Sequence, residues 1–158
     1  MDLSELETML RVKFHDKHLL NQSMVHRSFV NENATRKLAS NERLEYLGDA
    51  ILGWIVASEL YLRFPDAPEG ILTKGRSMIV RGENLAQIAS GLQLNKFLLL
   101  GLGEARTGGG LRNSNLAGAL EALIGAMYLD KGIDPTYTWV KELLTSDLDS
   151  VGNHNKLN

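Results

Sequence analysis

The sequence contains no cysteine and only three prolines among its 158 residues. The absence of cysteine excludes a disulfide framework and a thiolate metal site, and it fits a reducing compartment. Long apolar runs are also absent, because the longest, residues 50–57, falls far short of the roughly 20 residues that span a bilayer. Acidic residues rather than a secretory leader follow Met1. We therefore expect a cytoplasmic protein without a membrane partner.

The sequence also lacks an excess of charge of one sign. Lys and Arg number 17 against 19 Asp and Glu, which gives a formal net charge of −2. Such a balance provides no global positive field to attract a nucleic acid. The hydrophobic content of 44% and the charged content of 23% are typical of one globular domain. Only local motifs can therefore indicate the function.

Aliphatic residues recur at helical spacing along nearly the whole chain, and no stretch alternates with period two for long. The pattern predicts an all-helical fold. Pro65 and Pro68 end the third helix, because proline cannot continue the backbone hydrogen bonds of a helix. The glycine-rich residues 101–110 are predicted to form a loop. The predicted helices cover residues 3–12, 16–26, 41–63, 69–92, 114–130 and 135–147.

Two predicted helices carry acidic residues next to apolar or small ones. Glu42, Glu45 and Asp49 share one face of the third helix, because they are three and four residues apart. Glu121 borders a stripe of small residues that would let another helix approach closely. If the two helices pack together, Glu45, Asp49 and Glu121 converge and require a cation, and hard ions such as Mg²⁺ prefer oxygen ligands. On spacing alone, a solvated face or an arginine partner is the better explanation of each carboxylate.

These segments resemble the endonuclease domain of bacterial ribonuclease III. NERLEYLGDA at 41–50 is similar to the signature helix of that family, with Tyr46 where phenylalanine is common. HRSF at 26–29 and NEN at 31–33 are similar to an upstream landmark. The loop at 101–109 and EALIGA at 121–126 follow in the family's order, so the resemblance covers roughly residues 5–145.

The resemblance implies a homodimeric, metal-dependent endonuclease that cuts double-stranded RNA, with each subunit cutting one strand. It implies that Glu45, Asp49 and Glu121 hold Mg²⁺, for which Mn²⁺ can substitute, and that Asp49 and Glu121 are the catalytic pair. Glu42 and Glu69 match supporting acidic positions near the site. The expected cellular role is the processing of rRNA and mRNA precursors.

The resemblance also implies contacts with a second subunit and with RNA. Tyr46 matches the residue that inserts into the partner subunit, although an ordinary core aromatic would give the same pattern. Four basic residues are candidates for RNA contact, and each is also explained as a solvated surface charge: Arg112, Arg106, Lys74 and Arg76.

The length departs from the usual bacterial pattern, in which a double-stranded-RNA-binding domain follows the nuclease domain. We expect a nuclease domain at 1–148 and a polar, loose tail or linker at 149–158 toward an absent RNA-binding domain. Without that domain, RNA binding should be weak and sensitive to salt.

One position departs from the family pattern within the site. The family has a metal-binding aspartate three residues before Glu121, where this sequence has Gly118. A water could fill the vacancy, or Asn115 could offer an amide oxygen through water, although a plain helix-start residue also explains Asn115. Gly118 is equally compatible with close packing, with inactivation and with a tolerated change.

Two other functions stay open. A catalytically impaired member of the same fold would bind RNA without cutting it, and Gly118 favours this alternative. A helical metal phosphohydrolase is a more distant alternative, suggested by the adjacent His15 and Asp16. The remaining histidines lack suitable ligand spacing, and the pair is better explained as a turn with a helix N-cap.

Overall fold

A computed structural model describes residues 2–154. Within this range the regular elements are helices, apart from an isolated bridge between Val25 and Leu99, and the predicted all-helical fold is confirmed. None of the helices in this range is both long and apolar enough to cross a bilayer. The α-helices are α1 Ser4–Leu10, α2 Lys17–Ser23, α3 Arg27–Glu32, α4 Glu42–Arg63, α5 Glu69–Val80, α6 Gly82–Gly91, α7 Leu102–Arg106, α8 Asn113–Lys131, α9 Ile133–Leu143 and α10 Thr145–His154. Short 3₁₀ helices lie at Ala34–Arg36, Leu94–Lys96 and Gly109–Leu111.

The helix α8 lies at the centre of the fold. From Leu116 to Met127 each of its residues is buried except Glu121. Apolar side chains therefore surround the helix on nearly all sides, as expected for a central helix. Glu121 marks the one place along this stretch where the packing leaves room for a polar group.

Glycines bring α4 and α8 into backbone contact. A Cβ on Gly48 would lie 1.7 Å from the carbonyl oxygen of Glu121, and a Cβ on Gly125 would lie 2.3 Å from that of Leu44. No larger residue fits at either position without moving a helix. The contact places the first turns of α4, which carry the acidic face, against the middle of α8.

The prediction of one helix over residues 69–92 is wrong. Arg81 adopts an extended conformation, with φ −63° and ψ 146°, between the end of α5 and the start of α6. The side-chain amide of Asn84 donates to the carbonyl oxygen of Ile79 at 2.8 Å and so provides a partner for the end of α5. The chain can therefore turn here without a proline.

The segment predicted as a glycine-rich loop contains α7 and a 3₁₀ helix. The carboxylate of Glu32 accepts hydrogen bonds from the backbone N–H groups of Leu102 at 2.7 Å and Gly103 at 3.2 Å. The hydroxyl of Ser28 accepts one from Gly101 at 2.9 Å. A carboxylate at the start of a helix stabilises it, so α3 docks this segment against the domain.

The end of the chain also differs from its prediction. The helix α10 crosses the expected boundary between residues 148 and 149, and Asp149 pairs with Arg63 of α4. Val151 is buried against Gly75 of α5, and a Cβ on Gly75 would lie 2.8 Å from Cγ1 of Val151. Residues 149–154 therefore form a packed helix and not a loose tail, while 155–158 lie outside the described residues.

Candidate functional site

Three carboxyl groups meet where α4 contacts α8. The pKa of Glu121 is raised to about 8, first by burial of its carboxyl group, then by contact with Asp49 and by the charge of Glu45. The pKa of Glu45 is raised by burial and by the charges of Glu42 and Asp49. The structure thus brings together the three carboxylates that the sequence analysis selected.

The three carboxylates differ in their exposure. Asp49 is exposed, whereas Glu45 and Glu121 are half-buried. Among residues 2–154, no salt bridge joins any of the three to a lysine, arginine or histidine. None of the three is therefore paired directly with a basic side chain of the described part.

Gly118 is buried beneath the carboxylate of Glu45. A Cβ on Gly118 would lie 2.8 Å from Oε2 of Glu45 and 3.0 Å from its Cδ. A cavity of about 260 Å³, which we call the Gly118 cavity, opens at this point. It is lined by His26, Arg27, Asn41, Glu42, Glu45, Ser114, Asn115 and Gly118. Glu45 therefore occupies part of the space that a side chain at position 118 would take.

Asn115 connects this cavity to the segment before α8. Its Nδ2 donates to Oε1 of Glu104 at 2.9 Å and to the carbonyl oxygen of Gly109 at 3.1 Å. The hydrogen bond from Asn115, followed by the charge of Arg112, lowers the pKa of Glu104 although burial opposes it. Glu104 could not be selected from the sequence, because residues 104 and 115 lie on different helices, α7 and α8, and meet only in the folded chain.

The two supporting acidic candidates lie in different places. Glu42 lines the Gly118 cavity, pairs with Arg27 at 3.9 Å and accepts a hydrogen bond from Ser40 at 2.9 Å. Glu69 begins α5 and accepts a hydrogen bond from Thr73. Glu69 comes shortly after the C-terminal end of α4. That end lies about 27 Å from Glu45 along the helix axis. The structure does not bring Glu69 to the other carboxylates.

The four basic candidates fall into two pairs. Arg106 is exposed on α7, and Arg112 pairs with Glu104 next to the Gly118 cavity. Lys74 and Arg76 are exposed on α5. Only the first pair belongs to the segment that contacts Asn115.

Tyr46 is not a core aromatic, since 82% of its surface is exposed. It borders a cavity of about 590 Å³ that also contains Leu47 and Leu129. A second cavity of about 820 Å³ shares Leu47 and Leu129 and extends to Trp54 and Tyr128. Together they form a mostly apolar surface on α4 and α8, which we call the Tyr46 surface.

A family model of ribonuclease-III-like proteins matches residues 16–148. The chain belongs to the ribonuclease-III-like family. A ribonuclease 3 from Dehalococcoides mccartyi is 49% identical over 151 residues, which cover 96% of this chain and 64% of the relative. A ribonuclease 3 from Enterococcus faecalis is 43% identical over 147 residues, which cover 93% and 64%. The chain therefore spans slightly less than two thirds of the length of these curated relatives.

Two solved structures share the helical fold of this chain. The nuclease domain of ribonuclease III from Campylobacter jejuni has a TM-score of 0.85 and 37% identity, covering 92% of this chain and 98% of that one. Dicer from Pichia stipitis has a TM-score of 0.64 and 28% identity, covering 86% of this chain and 57% of that one. These likenesses confirm the predicted ribonuclease III nuclease-domain fold.

The donor atoms of the three carboxylates fit a hard divalent ion. Glu45, Asp49 and Glu121 offer only oxygen, which Mg²⁺ prefers, and their repulsion is of the kind that a cation relieves. Within residues 2–154, no three His, Asp or Glu side chains form a ready-made ligand group. Mg²⁺ usually keeps several waters and binds through one or two carboxylates, so a full protein cage is not required.

The phosphohydrolase alternative depended on His15 and Asp16, and these residues have structural roles. Asp16 caps α2 by accepting a hydrogen bond from the backbone N–H of His18 at 2.8 Å. The backbone N–H groups of His15 and Asp16 donate to the carboxylate of Asp130 at 2.9 and 2.8 Å. The pair therefore belongs to a capped turn, which was the other interpretation of this motif.

Proposed function

We propose that this chain is the nuclease domain of an endoribonuclease that hydrolyses phosphodiester bonds in double-stranded RNA. The single observation that carries the proposal is the meeting of Asp49 and Glu121 across the α4–α8 contact, where contact with Asp49 helps to raise the pKa of Glu121. The 49% identity to a ribonuclease 3 over 96% of this chain supports the same function. We infer that the RNA substrates include rRNA and mRNA precursors.

The proposed chemistry assigns a role to each carboxylate. Asp49 and Glu121 are the catalytic pair, and together with Glu45 they hold Mg²⁺ or Mn²⁺. The ion, when bound, would activate a water and offset the charge that develops on the phosphate. Glu121 must lose its proton to bind the ion, so its raised pKa makes metal binding dependent on pH. Glu42 supports the site from the rim of the Gly118 cavity.

We infer that two copies of the chain form a homodimer through the Tyr46 surface. A structure of the ribonuclease III nuclease domain from Campylobacter jejuni is described as flexible in a region involved in dimer formation. Tyr46 protrudes beside an apolar cavity, so two copies related by a two-fold axis can each insert this ring into the other. Each subunit of the dimer would cut one strand of the RNA duplex.

Cleavage of a long RNA duplex in the presence of Mg²⁺ or Mn²⁺ tests the function. We expect Asp49→Asn and Glu121→Gln to lower the cleavage rate by at least about 100-fold, because each removes a charged ligand. Glu142→Gln is the matched control, since Glu142 is an exposed carboxylate on α9. Cutting that persists in both site variants, or with a chelator present, would contradict the proposal.

The second candidate function is RNA binding without cleavage, and Gly118 is the observation that favours it. Restoring an aspartate by Gly118→Asp would force Glu45 to rotate, because a Cβ would lie 2.8 Å from its Oε2. The end of a glutamate side chain can move at little cost. Wild-type protein that leaves the duplex uncut, together with cutting by Gly118→Asp, would identify the natural chain as catalytically disabled.

A further inference from the structure

The side-chain amide of Asn115 has a fixed orientation at the Gly118 cavity. Its two hydrogen-bond partners are the carboxylate of Glu104 and the carbonyl oxygen of Gly109. Both partners can only accept, so the amide nitrogen must be the atom that faces them. With its two N–H groups engaged, the amide retains Oδ1 as the atom for further interactions, and Oδ1 is an acceptor.

Glu104 is itself held in place by two neighbours. The guanidinium of Arg112 donates to Oε1, the same oxygen that accepts from Asn115. Gly109 packs so closely that a Cβ there would lie 2.6 Å from Cγ of Glu104 and 2.7 Å from its backbone oxygen. These contacts join α7, the 3₁₀ helix that follows and the first turn of α8 into one unit.

We propose that Glu104 is a positioning residue of the metal site, which acts by holding Asn115 so that its amide oxygen, and not its nitrogen, is available to the Gly118 cavity. The inference rests on the proposed metal-dependent function. Waters bound to a divalent ion donate hydrogen bonds. Oδ1 can accept a hydrogen bond from such a water, whereas the NH₂ group is itself a donor and cannot.

The neutral oxygen suits the charge of the site. Gly118 removes one carboxylate, and three others remain at Glu45, Asp49 and Glu121. An amide oxygen at Asn115 restores an acceptor one helical turn before Gly118 without adding a fourth negative charge. Glu104 does not approach the ion in this arrangement, and its effect is transmitted through Asn115.

Equilibrium binding of Mn²⁺ to the 158-residue chain, measured by titration calorimetry, tests the proposal. We expect Glu104→Ala and Asn115→Ala each to weaken Mn²⁺ binding about tenfold, as is usual when a residue behind the metal ligands is lost. Glu104→Gln keeps an oxygen acceptor of the same shape, so its affinity should stay close to that of the wild type. The double variant Glu104→Ala/Asn115→Ala should bind no more weakly than Asn115→Ala alone.

Several results would overturn the inference. If Glu104→Ala and Glu104→Gln weaken Mn²⁺ binding equally, the effect is due to the lost negative charge. The control Glu142→Ala, at an exposed site, measures how much the loss of one charge weakens Mn²⁺ binding in general. Additive losses in the double variant would show that Glu104 does not act through Asn115. If Glu104→Ala does not fold, as judged by thermal unfolding, Asn115→Ala decides alone, and wild-type affinity in that variant rejects the proposal.

Glu121→Gln separates this inference from the function on which it rests. If Mn²⁺ binds Glu121→Gln as tightly as the wild type, both the metal site and the inference are wrong. If Glu121→Gln loses binding while the Glu104 and Asn115 variants retain it, only the role of Glu104 and Asn115 is rejected.

Discussion

Glu121 is the acid of the site whose pKa departs furthest from its ordinary value. It stands alone as the half-buried residue in an otherwise buried stretch of α8, beside Asp49 and Glu45. Its pKa is about 8 in the folded protein against 4.5 ordinarily, so the folded protein keeps a proton that the unfolded chain releases within this interval. The metal-free folded state therefore loses stability as the pH rises between these two values.

Replacing Glu121 by glutamine should remove this loss, because an amide does not titrate. In the presence of a chelator, we expect Glu121→Gln to be more stable than the wild type near about pH 8.5 and similar to it near about pH 4.5. Thermal unfolding across this pH range measures the difference. A difference in stability that stays constant with pH would show that burial and charge do not raise the pKa of Glu121.

The residues of the site differ in how far the sequence predicts them. Glu45, Asp49 and Glu121 could be selected because helical spacing and family motifs are local patterns. The hydrogen bond between Asn115 and Glu104 could not be predicted from the sequence, because it forms only when α7 and the 3₁₀ helix fold back onto the start of α8. The glycine at position 118 was visible in the sequence. That the carboxylate of Glu45 lies over it was not, because this depends on how α4 and α8 pack.

At the scale of the elements, the distance between α4 and α8 decides the geometry of the site. Gly48 and Gly125 let the two backbones touch, and this contact holds Asp49 beside Glu121. A methyl group between the helices would separate the carboxylates as well as disturb the core. Stability and metal affinity should therefore respond together to a change at this contact.

We expect Gly48→Ala to destabilise the fold by about 3 kcal/mol or more, because its Cβ would overlap the backbone oxygen of Glu121. Gly53→Ala in the same helix is the matched control, since a Cβ there meets no atom within 4 Å. Alanine should stabilise α4 at that position by roughly 0.5–1 kcal/mol. Urea denaturation measures both variants, and similar losses in the two would contradict the role of the close contact.

The helices that could be predicted best from the sequence are those with an uninterrupted apolar pattern. The helices predicted at 41–63 and 114–130 agree with α4 and α8 to within one residue at each end. The break at Arg81 escaped prediction because the apolar pattern continues on both sides, and a single extended residue redirects the chain. Residues 149–154 were predicted as a tail because they are polar, but Leu148 and Val151 are three residues apart and both are buried.

At the scale of the whole molecule, the Tyr46 surface is an apolar patch that the described residues leave uncovered. It exposes Tyr46, Trp54 and Leu129 together, and monomeric proteins rarely expose large continuous apolar patches. The protruding ring and the cavities lie on the same patch, which is the arrangement that a two-fold interface requires. The net charge of −2 opposes association of two copies only weakly.

Tyr46→Lys should convert the proposed dimer into a monomer without unfolding it. Two copies of the substitution would bring two ammonium groups into an apolar interface at a cost of about 2 kcal/mol or more each, so the dissociation constant should rise about 1,000-fold. Leu62→Lys is the control, because Leu62 is 69% exposed on the same helix, and its direction differs from that of Tyr46 by about 160° around the axis. Sedimentation equilibrium measures the association, and thermal unfolding verifies that both variants fold. If Tyr46→Lys remains dimeric, or if both variants dissociate equally, the two subunits do not meet through the Tyr46 surface.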